Sequence, residues 1–304
     1  MAPSLSVVVV AYDMGRELPR TLRSFSPTVQ RGVDRDDLEL VLVDNGSPEP
    51  VPEEAIASFD GHLRVVRIDD APPSPARAAN VGLAEARGDL VGLVVDGARM
   101  ASPGLLAGAR QARKVADRPV VASLAWHLGP NRHMEAAASG WDQATEDELL
   151  AGIDWERDGY QLFEVSTFAA SSARGWFGPM GESSALFLPS ELWDELGGLD
   201  ERFDLPGGGL VNHDLYRRAC TLDGTELVVL VGEGTFHQFH GGAATSRQLT
   251  WDVMHDQYEQ LRGEPYRPPA RPPLYVGRVR PEILGHLHES VRLAEERTGF
   301  SARA

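Results

Sequence analysis

Short apolar runs alternate with amphipathic segments through the first half of the chain. Residues 5–11, 38–43 and 90–95 are too short and too rich in β-branched residues for buried helices, so we interpret them as buried strands. Residues 17–25 repeat their apolar positions with helical spacing, and residues 76–86 are rich in small residues, so we interpret both segments as helices. This alternation predicts an α/β protein with a mostly parallel central sheet flanked by helices.

Local signals set the ends of several elements. Gly88 is predicted to end the helix at 76–86 in the left-handed conformation, and Thr145 with Glu148 reads as a capping box that opens a later helix. Further strands are predicted at 119–126 and 225–231.

Seven aromatic residues lie between residues 129 and 178. They would either line a sugar pocket or form a satellite core under a long insertion, and the core interpretation is favoured. These residues are Trp141, Trp155, Tyr160, Phe163, Phe168, Trp176 and Phe177.

Composition narrows the range of functions. The chain has 304 residues and a formal charge of -16, which argues against a nucleic-acid partner because a polyanion needs a basic face. The single cysteine, Cys220, excludes an internal disulfide and favours a reducing compartment. No apolar run reaches membrane-spanning length and no signal peptide is recognised, so we expect a cytoplasmic protein.

Polar clusters follow the predicted strands or open helices. They are Asp44, Asp96, the pair His213 and Asp214, and the pair His237 and His240. Open α/β sheets bind their ligands at the carboxyl ends of their strands. We therefore expect the active site where Asp96 follows the strand at 90–95.

Several motifs, in order, resemble the family 2 glycosyltransferases of the GT-A fold. The first is VVVVAYDMGRELPRTL, and LVLVDNGS resembles the family's V-D-x-G-S turn. AANVGLAEARGDLVGLVVDGA, LGGLDERF and HDLYRR resemble three later motifs. The resemblance covers about residues 4–242. It implies a GT-A nucleotide-diphospho-sugar transferase domain over residues 1–244, followed by a Pro-rich and helical C-terminal extension over residues 245–304.

The resemblance implies roles for residues on the donor side. Asp44 would accept a hydrogen bond from the nucleobase, although a turn residue that caps its own loop would have the same sequence. Tyr12 and Arg77 would contact the donor, and Asn80 would hold a neighbouring loop on the same side. Asp96 would bind a divalent cation, Mn²⁺ or Mg²⁺, that bridges the donor diphosphate.

The chain departs from the family pattern after Asp96. The family usually continues Asp-x-Asp, whereas here Ala98 replaces the second carboxylate and Arg99 follows. Metal dependence is therefore open: His237 or His240 would supply a nitrogen ligand, or Arg99 would hold the diphosphate directly. Because residues three apart on a strand face opposite sides, we expect only one of the two histidines to be a ligand.

On the acceptor side, the resemblance implies an inverting, hexosyltransferase-like enzyme. Asp214 would remove the proton from an acceptor hydroxyl as that oxygen attacks the anomeric carbon. His213 replaces the usual glutamate before it, and Glu182 lies where relatives contact the acceptor, so both are predicted to bind the acceptor.

Rival functions remain to be separated. A nucleotidyltransferase needs a Gly-rich basic loop after the first strand and a dehydrogenase needs G-x-G-x-x-G, and the chain has neither. A non-catalytic nucleotide-sugar binding or scaffold protein with a degenerate metal motif stays open. So does pairing of the C-terminal helix with a second copy of the chain.

Overall fold

The computed structural model describes residues 3–240 and 250–299. Helices and strands alternate along the first part of the chain, as the apolar pattern predicts. The strands are β1 (Leu5–Ala11), β2 (Leu38–Asp44), β3 (His62–Arg67), β4 (Leu90–Val94), β5 (Arg99–Ala101), β6 (Pro119–Leu128), β7 (Ser166–Phe168), β8 (Leu186–Pro189), β9 (Glu226–His237) and β10 (Leu274–Gly277). The helices are α1 (Leu18–Phe25), α2 (Glu53–Ala57), α3 (Ala76–Glu85), α4 (Leu105–Ala112), α5 (His133–Ala138), α6 (Gln143–Ala151), α7 (Gln161–Glu164), α8 (Ser190–Leu196), α9 (Val211–Thr221), α10 (Trp251–Arg262) and α11 (Leu284–Thr298).

In the described ranges the strands form one sheet, whose main path runs β10-β9-β6-β8-β4-β1-β2-β3. Strand β1 pairs in parallel with β2 and β4, and β6 pairs in parallel with β9. Strand β8 runs antiparallel between β4 and β6 and joins the two parallel halves. The predicted mostly parallel sheet flanked by helices is therefore confirmed, with one reversed strand near its centre.

Every residue of β1, β2 and β4 is buried, as expected for strands covered on both faces. The edge strand β3 is largely exposed or half-buried. The three buried strands are therefore continuous apolar runs in the sequence, whereas β3 mixes apolar and charged residues.

Three local predictions were wrong. The C-cap of helix α3 is Ala86, which has an extended backbone, and Gly88 does not have a left-handed backbone. A Cβ at Gly88 would lie 2.6 Å from the backbone nitrogen of Ser6, so close packing requires this glycine. The N-cap of α6 is Asp142, whose carboxylate accepts a hydrogen bond from the amide of Thr145 at 2.8 Å. Strand β9 continues six residues past the predicted end at 231, to His237.

The aromatic residues of the insertion pack mainly into the core. Trp126 on β6 is fully buried, with its ring 4.9 Å from that of Phe163 and 5.6 Å from that of Trp176, measured between centroids. Tyr160 and Phe168 are also buried, at 1% and 6% exposure. This burial supports the core interpretation over an open sugar pocket for these residues.

The C-terminal segment packs against the sheet and the insertion. Strand β10 extends the sheet beside β9, and Ser290 on α11 accepts a hydrogen bond from the amide of Trp176 at 3.2 Å. The predicted boundary between residues 244 and 245 lies outside the described residues. Within residues 3–240 and 250–299, no helix combines the length and apolar character needed to cross a bilayer.

Close packing of α3 on the sheet predicts opposite effects at two helical glycines. A Cβ at Gly82 would lie 2.3 Å from Cγ1 of Val8 and 2.9 Å from Cγ2 of Val43, whereas one at Gly285 in α11 meets nothing within 4 Å. Gly82→Ala should lower the free energy of unfolding by about 1–3 kcal/mol through overpacking. Gly285→Ala should leave it unchanged or raise it by up to about 1 kcal/mol through helix propensity. Denaturant unfolding followed by circular dichroism measures both, and equal effects would show that α3 is not closely packed.

Candidate active site

The carboxyl ends of the parallel strands bring several polar side chains to one edge of the sheet. Asp44 is the last residue of β2, Asp96 follows β4 by two residues, and His237 is the last residue of β9. The edge contains the carboxylates that the sequence places after strands.

Asp96 is in contact with both candidate histidines. Its Oδ2 lies 2.8 Å from Nε2 of His237, and its Oδ1 lies 3.8 Å from Nε2 of His240. The two histidine Nε2 atoms are 3.0 Å apart. Both histidines lie beside Asp96 because the strand ends at His237 and the chain turns before His240, so the alternation of side chains along a strand does not separate them.

Contacts from distant segments hold this turn. The amide of Gln238 donates to the carbonyl of Ala98 at 2.8 Å, and Glu146 on α6 accepts the amide of Phe239 at 2.6 Å. Arg16, in the loop after β1, donates to the carbonyl of Phe239 at 3.2 Å. The turn that presents His240 is therefore fixed by the loop after β1 and by the insertion.

The electrostatics of the site favour an anionic Asp96. Burial by itself would raise the pKa of Asp96, but its contacts with the imidazoles of His237 and His240 hold that pKa well below its usual range. Burial lowers the pKa of His237 to about 4, so its imidazole is neutral at neutral pH. Burial also opposes a charge on His240, but the nearby Asp96 carboxylate raises its pKa.

The donor set fits a divalent cation. One carboxylate oxygen and two imidazole nitrogens, from Asp96, His237 and His240, lie within 4.8 Å of one another. Arg99 stands beside them, with Nε 3.6 Å from Oδ2 of Asp96 and a buried Nη1 that has no hydrogen-bond partner among the described residues. These atoms could hold a cation on one side and a phosphate oxygen on the other.

Two further histidines lie against His237. His127, at the end of β6, pairs with His237 in the sheet register, and the ring of His133 on α5 lies 4.9 Å from that of His237 between centroids. Burial, together with the charge of His237, lowers the pKa of His133 to about 2 and that of His127 further. The sequence analysis did not select these histidines, although His127 directly follows a predicted strand.

Asp44 is held within its own loop. Its Oδ1 accepts the amide of Ser47 at 2.9 Å, its Oδ2 lies 2.5 Å from Nη1 of Arg67, and the residue is 1% exposed. This is the arrangement of a turn-capping carboxylate. Tyr12, in the loop beside it, is 54% exposed.

Asn80 connects α3 to the loop after α8. Its side chain accepts the amide of Leu199 at 2.8 Å and donates to the carbonyl of Leu199 at 3.0 Å. Gly198 has φ +70°, and a Cβ there would lie 2.3 Å from Oδ1 of Asn80, so the loop needs this glycine. Asn80 thus holds a neighbouring loop, whereas Arg77, three residues earlier, is exposed and donates a long hydrogen bond of 3.4 Å to the carbonyl of Asp70.

His213 and Glu182 form a second polar group. Nδ1 of His213 lies 3.7 Å from Oε2 of Glu182 and is buried without a hydrogen-bond partner among the described residues. Leu186 of β8 pairs with Leu93 of β4, so residues just before β8, including Glu182, lie at the edge where β4 leads to Asp96. Burial lowers the pKa of His213, and the charge of Glu182 only partly opposes this.

Asp214, the next residue on α9, has a different environment. Its oxygens accept hydrogen bonds from Nε and Nη2 of Arg262 at 2.5 and 2.7 Å, and from Nε of Arg218 at 2.8 Å. The residue is 1% exposed. Two guanidinium groups thus engage this carboxylate.

Comparison with known proteins shows a similarity to one family over the N-terminal part of the chain. Residues 6–97 match the model described as glycosyl transferase family 2. An uncharacterized protein of Sinorhizobium fredii, y4gI, is 27% identical to this chain over 207 residues, which are 66% of the chain and 21% of that relative. The chain thus spans about a fifth of the length of the curated relative that it matches.

Solved structures similar to this chain have the GT-A fold. S. aureus TarS 1-349 in complex with UDP-GlcNAc matches with TM-score 0.52 and 14% identity, over 85% of this chain and 67% of that chain. A mannosyltransferase from Pyrobaculum calidifontis, PcManGT, in complex with GDP-Man and Mn²⁺, matches with TM-score 0.50 and 18% identity, over 96% and 70%. Another TarS 1-349 structure is matched over 60% of its length. The predicted GT-A fold is confirmed.

The arginine pair around Asp214 predicts a stability role for this carboxylate. Arg262→Met should lower the free energy of unfolding by about 2–3 kcal/mol, because a buried carboxylate loses two of its charged hydrogen bonds. Arg292→Met is the control: it removes two exposed ion pairs on α11, with Glu289 and Glu296, and should cause no measurable loss. Denaturant unfolding compares the two, and an unaffected Arg262→Met variant would contradict the stability role.

Proposed function

We propose that this protein is a family 2 glycosyltransferase that transfers a sugar, of hexose type, from a nucleotide-diphosphate donor to an acceptor hydroxyl with inversion at the anomeric carbon. The observation that carries the proposal is the meeting of Asp96, His237 and His240 at the carboxyl edge of the sheet, beside Arg99. TarS and PcManGT, which share the fold, are described in complex with UDP-GlcNAc and with GDP-Man. A donor of this chemical class fits a site that combines a cation-binding group with a free guanidinium nitrogen.

The proposed cofactor at Asp96 is Mn²⁺ or a similar transition-metal ion in preference to Mg²⁺. Two of the three ligand atoms are imidazole nitrogens, which suit transition metals, whereas Mg²⁺ prefers oxygen ligands. When bound, such a cation neutralises charge that develops on the departing diphosphate. Arg99 would donate its unpaired Nη1 to a phosphate oxygen and hold the diphosphate in place.

The remaining donor-side residues divide into two proposed roles. Tyr12 and Arg77 are exposed and would contact the donor directly. Asp44 and Asn80 have side chains engaged by loop backbone, so they would act chiefly by holding the loops that border the donor. Asp44 keeps lone pairs that could also accept a nucleobase N–H.

For the acceptor proton we propose His213, assisted by Glu182, in place of the Asp214 that the sequence favours. Nδ1 of His213 faces Glu182, so a neutral ring with its proton on Nδ1 would offer the lone pair of Nε2, and a neutral imidazole is a competent base. Glu182, 3.7 Å away, would stabilise the imidazolium that forms. Asp214 would position this part of α9 through its arginines.

The division of the chain is likewise a proposal. Residues 1–244 would form the transferase domain, and the extension at 245–304 would complete its acceptor side. This is supported by Arg262, which binds Asp214, and by Tyr266, whose ring lies 5.1 Å from that of His213 between centroids.

The mixed ligand set predicts which cation supports activity. Donor hydrolysis or transfer should be greater with Mn²⁺ than with Mg²⁺ at equal concentration, and chelation should lower it. Asp96→Asn should weaken cation affinity at least about tenfold, because it removes the anionic ligand. Isothermal titration with Mn²⁺ and with donor, beside product formation, measures these effects. Equal activity with EDTA and with Mn²⁺ would contradict the cation and leave Arg99 as the diphosphate ligand.

Paired variants on α9 distinguish the two candidate bases. His213→Gln should lower the transfer rate about 10²–10⁴-fold without changing donor affinity or melting temperature. Asp214→Asn should lower the melting temperature, and at a temperature where it is folded it should keep more activity than His213→Gln. In the wild type, kcat/KM should fall as the pH drops through the pKa of His213, which burial places below 6.5. Full activity of His213→Gln, with none in a folded Asp214→Asn, would restore Asp214 as the base.

The same measurements address a non-catalytic binding protein, which the absence of a second carboxylate at Ala98 favours. Such a protein would bind the nucleotide sugar and give neither hydrolysis nor transfer with any cation or acceptor. The proposed transferase turns over donor, and the binding protein does not.

A further inference from the structure

Three histidines, two of them buried and one half-buried, form a group that the proposed transfer reaction does not require. We call His127, His133 and His237 the histidine cluster. One nitrogen from each ring lies within 4.8 Å of the other two. Ring centroids are 4.2 Å apart for His127 and His133, and 5.4 Å apart for His127 and His237.

The fold brings the cluster together through strand register. His127 pairs with His237 where β6 and β9 run in parallel. His133 is the first residue of α5, which begins at the same place. The backbone amide of His133 donates a hydrogen bond to Nδ1 of His127 at 2.8 Å. Nδ1 of His127 therefore carries a lone pair, and the ring of His133 stacks on that of His127.

Two buried ring nitrogens of the cluster, Nε2 of His133 and Nδ1 of His237, have no hydrogen-bond partner among the described residues. The two residues are 4% and 6% exposed. A buried polar atom without a partner costs stability, so such atoms indicate a missing ligand. Because no carboxylate belongs to the cluster, the ligand that fits is one that accepts nitrogen lone pairs.

We propose that the histidine cluster binds a transition-metal ion of the Zn²⁺ class, at a site distinct from the cation site at Asp96. Three imidazole ligands with a fourth position for water or another group suit Zn²⁺, Cu²⁺ or Ni²⁺, whereas Mg²⁺ requires oxygen ligands. The ion would replace the hydrogen bond from the His133 amide if His127 binds through Nδ1.

The two sites share His237. Its Nε2 faces Asp96, and its Nδ1 has no hydrogen-bond partner among the described residues, so we assign Nδ1 to the cluster. A neutral imidazole has one in-plane lone pair, so His237 can bind only one ion at a time unless it also loses its remaining proton. Zn²⁺ in the cluster therefore weakens Mn²⁺ at Asp96, and the reverse holds by linkage. This consequence, unlike the cluster site itself, rests on the proposed function.

The decisive experiment uses full-length, tag-free protein with the Asp96 site disabled by Asp96→Asn and His240→Gln. This double variant should bind one Zn²⁺ per chain in competition with a chromophoric chelator. Adding His133→Gln should lower the affinity at least about tenfold, as expected when a ligand is lost. Failure of the double variant to bind Zn²⁺, or an unchanged affinity after His133→Gln, would overturn the cluster site.

Co²⁺ provides a measurement that does not depend on these variants alone. Wild-type protein loaded with one Co²⁺ should show the visible absorption of a nitrogen-ligated, low-coordinate ion, and His240→Gln should retain it. A spectrum that His240→Gln abolishes and a folded His133→Gln retains would instead assign the ion to Asp96. Circular dichroism establishes that each variant is folded, and neither measurement requires turnover, so the cluster can be tested even if the proposed transfer reaction fails.

Discussion

The contact between Oδ2 of Asp96 and Nε2 of His237 is the interaction on which the site depends. It joins the loop after β4 to the end of β9, which are separated by almost half of the chain length. A polar contact of this kind cannot by itself offset the entropy that is lost when so long a loop closes. Strand pairing in the sheet offsets this loss, because β9 pairs with β6, β5 and β10. Arg99 of β5 lies opposite His237 in register.

An irregularity in β9 determines which way its histidine points. Leu230 pairs with Ser123, but Gly234 pairs with the next residue, Leu124, so residues 231–233 are extra. Side chains alternate along a strand, and an odd number of extra residues reverses the faces beyond the bulge. Glu233 holds the bulge by accepting hydrogen bonds from the hydroxyls of Ser102 and Tyr160 at 2.6 and 2.7 Å, and burial raises its pKa.

His213 and Asp214 are neighbours on α9, but their side chains lie in different environments. Successive residues point about 100° apart, so His213 and Asp214 face different surroundings. His213 meets Glu182 and the ring of Tyr266, while Asp214 meets two guanidinium groups. Because Arg262 and Tyr266 come from the C-terminal segment, both environments require that segment to fold onto α9.

The sequence by itself determined the buried strands and the candidate carboxylates, because strands covered on both faces must be continuously apolar and must end in polar turns. It therefore predicted Asp96, and it selected His237 and His240 as candidates. Only the tertiary structure decided that β8 runs antiparallel, that both histidines meet Asp96, and that His127 and His133 join them. It also decided that arginines surround Asp214. These features depend on strand register and on contacts between residues far apart in the chain, which no local pattern of apolar and polar residues encodes.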